Sequence, residues 1–111
     1  MPAQLGRENV HDLTPEEVAR GIAEDMVLLI DVREANETEV ERYPGAFCLP
    51  MSEFDPAVIP DPQGRRVVFA CRSGNRSLTA SLIAQAAGLP YDAHLAGGML
   101  AWKAVGLPTQ E

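Results

Sequence analysis

Cys71-Arg72-Ser73-Gly74-Asn75-Arg76-Ser77 is the stretch whose residue types and spacing can do chemistry. Cys71 directly follows the apolar run Val67-Val68-Phe69-Ala70, which has strand composition, and a helical pattern begins near Ser77. Between them, Gly74 and Asn75 tolerate unusual backbone dihedrals. A short loop of this kind can turn successive backbone N–H groups toward one point and make an anion nest. The helix that follows adds its positive N-terminal end to the same place, and Arg72 and Arg76 add guanidinium charge. A thiol over such a cradle loses its proton readily, because the thiolate is the form that the cradle stabilises. Cysteines so placed have pKa values of roughly 3.5–7.5 in place of about 8.5. The expectation is a nucleophilic thiolate at Cys71 that attacks an anionic substrate. A buried structural cysteine at a strand end is the blander reading, but it leaves two arginines and a glycine in the next five residues unexplained.

The elements that must position this loop alternate along the chain. Around residues 11–17 a helix start is legible, with Thr14 as N-cap, Pro15 at the first helical position and Glu17 completing a capping box. Val18, Ile22 and Ala19 then face inward until Glu24-Asp25 ends the helix. Val27-Leu28-Leu29-Ile30 is apolar on both faces, as in a central strand of a covered parallel sheet. Residues 34–42 are helix-compatible, Tyr43-Pro44-Gly45 is a turn, and Ala46-Phe47-Cys48-Leu49 reads as a second buried strand ended by Pro50. Three prolines between Pro56 and Gly64 predict mostly loop. Residues 66–70 make a third strand. Leu78, Leu82, Ile83 and Ala86 set the inward face of a helix over residues 77–87, with Gly88 at its C-terminal cap and Pro90 beyond. Residues 93–96 make a fourth short strand, and Gly97-Gly98 opens a last helix carrying Met99, Leu100, Trp102 and Val105. Strands alternating with helices imply an α/β domain with a mainly parallel central sheet of about five short strands. Ligands of such sheets sit beyond the carboxyl ends of the strands, which is where Cys71 falls.

With 111 residues, the expectation is one domain over residues 1–111. Folding should bury roughly 65% of the extended chain's surface, enough for a core without staples. A hydrophobic share of 46% and a charged share of 23% are globular values. Two cysteines do not make a disulfide framework. The longest aliphatic run, residues 26–30, is too short to cross a bilayer. No basic-then-apolar segment follows Met1, so a reducing cytoplasm is the expected location. Sixteen acidic against nine basic residues give a net charge of −7, so the protein as a whole should bind neither nucleic acid nor anionic membrane. Arg72 and Arg76 stand out against that global sign.

The loop from Cys71 to Ser77 closely resembles the active-site loop of single-domain rhodaneses, the thiosulfate sulfurtransferases. Leu29-Ile30-Asp31-Val32-Arg33 looks like that family's first core strand with its Asp-Val-Arg end. Pro44-Gly45-Ala46 followed by Leu49-Pro50 is similar to its Pro-Gly-Ala segment. Leu95-Ala96-Gly97-Gly98, with Ala101-Trp102 and Gly106-Leu107-Pro108, is similar to its C-terminal pattern. In order and correctly spaced, these motifs run nearly the whole chain. The resemblance implies a rhodanese-like α/β fold and sulfur transfer with no metal or organic cofactor. Cys71 would take the outer sulfur of a small anionic donor such as thiosulfate, become a persulfide, and pass that sulfur to cyanide, a thiol or a protein acceptor. Backbone amides of Arg72, Ser73, Gly74, Asn75 and Arg76 would cradle the transferred sulfur, with the Arg72 and Arg76 side chains available for the donor's sulfonate. A basic residue straight after the cysteine resembles the thiosulfate-using branch, whereas the mercaptopyruvate-using branch typically has glycine there. Two departures stand out. Two-domain members carry a second basic residue where Ser73 stands, and Glu41-Arg42-Tyr43 replaces the family's Gly-His-Ile before Pro44. With no second domain over the cradle, its mouth should be open to a protein or a large thiol.

Cysteine phosphatases and arsenate reductases use a similar cradle with a Cys-x5-Arg loop sized for a tetrahedral oxyanion. Cys71 to Arg76 is Cys-x4-Arg, and the next basic residue is Lys103, so no other register restores the longer loop. A sulfur carrier of slow turnover, or an oxidant sensor at Cys71, is the alternative within thiol chemistry. Cys48 reads as packing inside an apolar strand. His11 and His94 read as isolated residues on element edges, so no metal site is expected. Asp31 and Arg33 read as a structural ion pair on the Cys71 side of the sheet. Glu34, Glu37, Glu39 and Glu41 read as a solvated helix face. Trp102 and Met99 read as core, and Gly97-Gly98 lacks the third glycine of a dinucleotide fingerprint.

Overall fold

Local chemistry sets the first helix in the computed structural model, which describes residues 6–111. The Thr14 hydroxyl accepts from the Glu17 N–H, the Glu17 carboxylate accepts from the Thr14 N–H, and Pro15 fills the first turn of α1 (Pro15–Ala23). The stretch just after Met1 falls outside the described residues. Five strands form one parallel sheet: β1 (His11–Leu13), β2 (Val27–Asp31), β3 (Phe47–Cys48), β4 (Arg66–Ala70) and β5 (Ala93–Leu95), in the order β1-β5-β4-β2-β3. The other helices are α2 (Ala35–Thr38), α3 (Asn75–Ala86) and α4 (Gly98–Ala104).

Alternation along β2 and β4 divides the core in two. Leu29, Val68 and Ala70 point to one face, where Val18 of α1, Tyr43 and the Met99 and Trp102 side chains of α4 cover them. Leu28, Ile30, Val67 and Phe69 point to the other, under Ala80 and Ala84 of α3, and Cys71 lies on this side. Gly88 ends α3 with a positive φ of 89°. Its N–H donates to the Gln85 carbonyl and that of Leu89 to the Ala84 carbonyl, the paired closure that a glycine at this position permits. None of the described helices is long and apolar enough to cross a membrane.

Four expectations from the sequence are revised. Residues 11–13 are not merely a lead-in to α1 but a strand, paired as His11↔Ala93, Asp12↔His94 and Leu13↔Leu95. With two of the three exposed at the sheet edge, they carry no hydrophobic signature. Residues 34–42 yield only the short α2. The expected buried strand at 46–49 contracts to β3, whose two residues are exposed on the outer edge, so Cys48 is not core packing. The inner face of α3 is Ser77, Ala80, Ser81 and Ala84, whereas Ile83 is 39% exposed. Small side chains let this helix lie close on the sheet, and the larger aliphatics that seemed to mark its core face point aside.

Candidate active site

β4 ends at Ala70, and Cys71 is the first residue of the loop that leads into α3. Gly74 turns the chain with a φ of 105° and serves as the N-cap of α3, a conformation that side chains with a Cβ rarely adopt. The turn brings backbone donors onto sulfur: Cys71 Sγ is 3.1 Å from the Gly74 nitrogen and 3.4 Å from the Ser77 nitrogen. The Ser77 hydroxyl lies 3.5 Å from the same sulfur. Carbonyls on the outer side of the loop are tied elsewhere. The Cys71 carbonyl accepts from the Met99 N–H at 2.9 Å and from the Tyr43 hydroxyl at 2.6 Å, and the Arg72 carbonyl accepts from the Leu100 N–H at 3.0 Å. The start of α4 therefore clamps the loop, and Gly98 is the residue that permits the approach. A Cβ there would stand 2.5 Å from the Cys71 carbonyl oxygen and 2.6 Å from the Arg72 carbonyl group.

Cys71 is 1% exposed. Burial by itself pushes the thiol pKa up. Hydrogen bonds from the Ser77 side chain and from the backbone N–H groups of Ser77, Gly74 and Ser73 outweigh it, and the net shift is downward. The rim of the cradle is open, with Arg72, Ser73 and Asn75 exposed, while Gly74 and Ser77 are buried. The two arginines differ. Arg76 donates to both carboxylate oxygens of Glu37, at 2.6 and 2.9 Å, so it is not the free cation that the sequence leads one to expect. The pairing in turn lowers the Glu37 carboxyl to about 2. Arg72 lines a groove of about 260 Å³ beside the loop, together with Arg33, Glu37, Glu41, Leu100 and Lys103. Arg33 pairs with Asp31 at 2.8 Å and Lys103 with Glu41 at 2.9 Å. Among the described residues Arg72 is the groove's one cation without an ion pair.

The expected Asp31–Arg33 pair is present and buried, and Arg33 also donates to the Glu41 carbonyl at 2.9 Å. Of the acidic run only Glu39 is a plainly solvated residue; the other three are half-buried and have partners. Glu34 accepts from Ser52, Glu37 from Arg76, and Glu41 from Lys103 and Thr109. Three further residues reach the site without any sequence signal. Tyr43, one of the residues standing where the family has Gly-His-Ile, is fully buried and holds the Cys71 carbonyl. His94 is neither isolated nor on an element edge. It is 2% exposed in the middle of β5, with Nδ1 2.9 Å from Ser77 Oγ and Nε2 2.7 Å from Asp12 Oδ1. His11, by contrast, is exposed beside Asp92. Asp12 and His94 are 82 residues apart, and only the pairing of β1 with β5 brings them together. Among the described residues, no three His, Cys, Asp or Glu side chains converge as a metal site.

Known proteins resemble this chain in sequence and in fold. An uncharacterized protein of Synechocystis is 39% identical over 97 residues, 87% of this chain, which spans only 54% of that relative's length. A sulfurtransferase of Allochromatium vinosum is 34% identical over 100 residues, covering 89% of this chain and 94% of the relative. The crystal structure of a thiosulfate sulfurtransferase from Pseudomonas aeruginosa has the same fold, with a TM-score of 0.80 over 94% of this chain and 21% of that one, at 24% identity. The sequence model of the rhodanese-like domain matches residues 14–105. On that match, and on the fold, this chain belongs to the rhodanese-like domain family.

Proposed function

We propose that this domain transfers sulfane sulfur through a persulfide on Cys71, with thiosulfate as donor and cyanide, a small thiol or a protein thiol as acceptor. The observation that carries this reading is the Cys71 sulfur seated on the Gly74 and Ser77 N–H groups, which favour the thiolate. The thiolate attacks the outer sulfur of thiosulfate, a Cys71 S–S bond forms, and the bond to the sulfonate breaks with sulfite leaving on its electron pair. The new terminal sulfur carries the negative charge, and in this reading the amides of residues 72–76 receive it. The acceptor then attacks that sulfur and returns Cys71 as thiolate. Arg72, exposed and without an ion pair among the described residues, is the side chain that meets the sulfonate. The sulfurtransferase name of the Allochromatium relative, which this chain nearly spans, supports the same chemistry. A reducing, cytoplasmic setting suits a site that works as a free thiol.

A thiol only 1% exposed also fits a sulfur carrier of slow turnover. Intact mass after brief exposure of reduced protein to thiosulfate separates these readings. The expected result is a gain of one sulfur atom in the wild type, its removal by cyanide, and no gain in Cys71→Ala. Cyanide release that is slow beside loading would make the domain a carrier. Absence of the gain, or its persistence in Cys71→Ala, would overturn the proposal.

A further inference from the structure

Behind Cys71, away from the exposed rim of the loop, three polar side chains form a line that sulfur transfer as described leaves without a task. Ser77 Oγ is 3.5 Å from Cys71 Sγ and 2.9 Å from His94 Nδ1, and His94 Nε2 is 2.7 Å from Asp12 Oδ1. A carboxylate can only accept, so the hydrogen of the neutral imidazole is on Nε2 and Nδ1 is an acceptor. The Ser77 hydroxyl then donates to Nδ1, and the Cys71 thiol donates to Ser77 Oγ. The Gly74 carbonyl, the other acceptor within reach of this hydroxyl, is farther away at 3.2 Å. The direction of every bond follows from the one carboxylate at the end.

We propose that Ser77, His94 and Asp12 are a buried proton relay that moves the Cys71 proton onto His94. The S–H bond breaks as sulfur hands its proton to Ser77 Oγ. The hydroxyl passes its own proton to Nδ1, where an N–H bond forms. Ser77 is unchanged, a thiolate and an imidazolium replace two neutral groups, and no electrons change owner. The two hydrogen bonds between sulfur and imidazole then reverse, so that Nδ1–H donates to Oγ and the hydroxyl donates to the thiolate, while Nε2–H still donates to Asp12. The Asp12 carboxylate balances the imidazolium. A histidine buried for packing alone needs its nitrogens satisfied, but it does not need its line of partners to end on the reactive sulfur.

The titratable and charged groups facing the imidazole are Asp12 from β1, with Arg7 3.9 Å from its other oxygen, and Cys71 through Ser77. Gly74 closes the ring's remaining side, where a Cβ would lie 3.8 Å from His94 Cε1. Neither His94 nor Asp12 touches sulfur. They act through Ser77 as positioning residues.

The inference rests on Cys71 as the working nucleophile, but its test needs no sulfur donor. Alkylation of Cys71 by iodoacetamide is followed by intact mass across the neutral pH range, in a Cys48→Ser background so that a single thiol reports. His94→Asn can still accept from Ser77 but takes no proton. Its profile should shift to higher pH, with a rate about tenfold lower near neutrality, the change that one unit in the thiol's midpoint produces. Asp12→Asn keeps an acceptor for Nε2 and removes the charge, so its profile should shift in the same direction by less. The double variant should be no slower than His94→Asn, because both act through one line. His11→Asn should leave the profile in place. Coincident profiles for wild type, His94→Asn and Asp12→Asn would overturn the relay. The Asp12 side chain is 52% exposed, so Asp12→Asn decides the matter if His94→Asn fails to fold. A shifted profile in a protein that takes no sulfur from thiosulfate would keep the relay and reject the donor. Normal loading with unshifted profiles would do the reverse.

Discussion

Arg72 in the loop and Arg76 in the first turn of α3 have opposite surroundings: one is exposed and has no ion pair among the described residues, the other is held by both oxygens of Glu37. A guanidinium already bound at two points must give up that pair before it can meet a donor, whereas Arg72 gives up only water. Arg72→Ala should therefore raise the KM for thiosulfate about tenfold while kcat changes little, the pattern left by loss of a charge-assisted contact made in ground state and transition state alike. Steady-state cyanide assays measure both constants, and an unchanged KM would move the sulfonate onto the backbone of the loop. The Cys71 sulfur and the N–H groups that reach it were legible because they lie within seven consecutive residues. The partner of Arg76 was not, because Glu37 is 39 residues away. The same holds for His94, which spacing alone made an isolated residue.

At the scale of elements, the cradle keeps its shape because α4 begins against it. Met99 and Leu100 donate to the loop's first two carbonyls, which leaves the loop's N–H groups to face the sulfur. Gly98→Ala tests this contact. Its Cβ would press on backbone atoms that cannot rotate away, and its φ of 56° adds the left-handed strain that non-glycine residues carry. A loss of about 1–3 kcal/mol in stability is expected, together with slower sulfur loading. Urea unfolding and intact mass read the two effects, and a fully stable, fully active Gly98→Ala would mean that the loop holds itself. Elements with their own local signals were readable from sequence: the capping box of α1, the apolar runs of β2 and β4, and the glycine closure of α3. β1 was not, since two of its three residues are exposed on the sheet edge and it is a strand only through what it pairs with, and β3 was readable as a strand but not as a short exposed one. The inner face of α3 misled for a different reason. Close packing on the sheet selects small side chains, and a hydrophobicity pattern weighs large ones.

For the molecule as a whole, the Glu37–Arg76 pair joins α2 to α3. Glu37 falls from 4.5 to about 2 on pairing. A carboxyl depressed in the folded state stabilises it above the unfolded value, and that contribution disappears as pH drops from 4.5 toward 2. The wild type should therefore be more stable than Glu37→Gln near neutrality and lose that lead through this acid range. Urea midpoints for the two proteins across the range measure it, and a gap that stays constant with pH would remove the pair from the acid response. The strand order carries a consequence in time. Chains are synthesised from the N-terminus, yet among the described residues β1 pairs with β5 alone, the strand made after the other four. Cys71 thus leaves the ribosome well before His94 can join Asp12 beneath it. The proposed relay is complete only after β5 has docked, so its share of the thiol's reactivity is added last, when there is a folded domain to contain the chemistry.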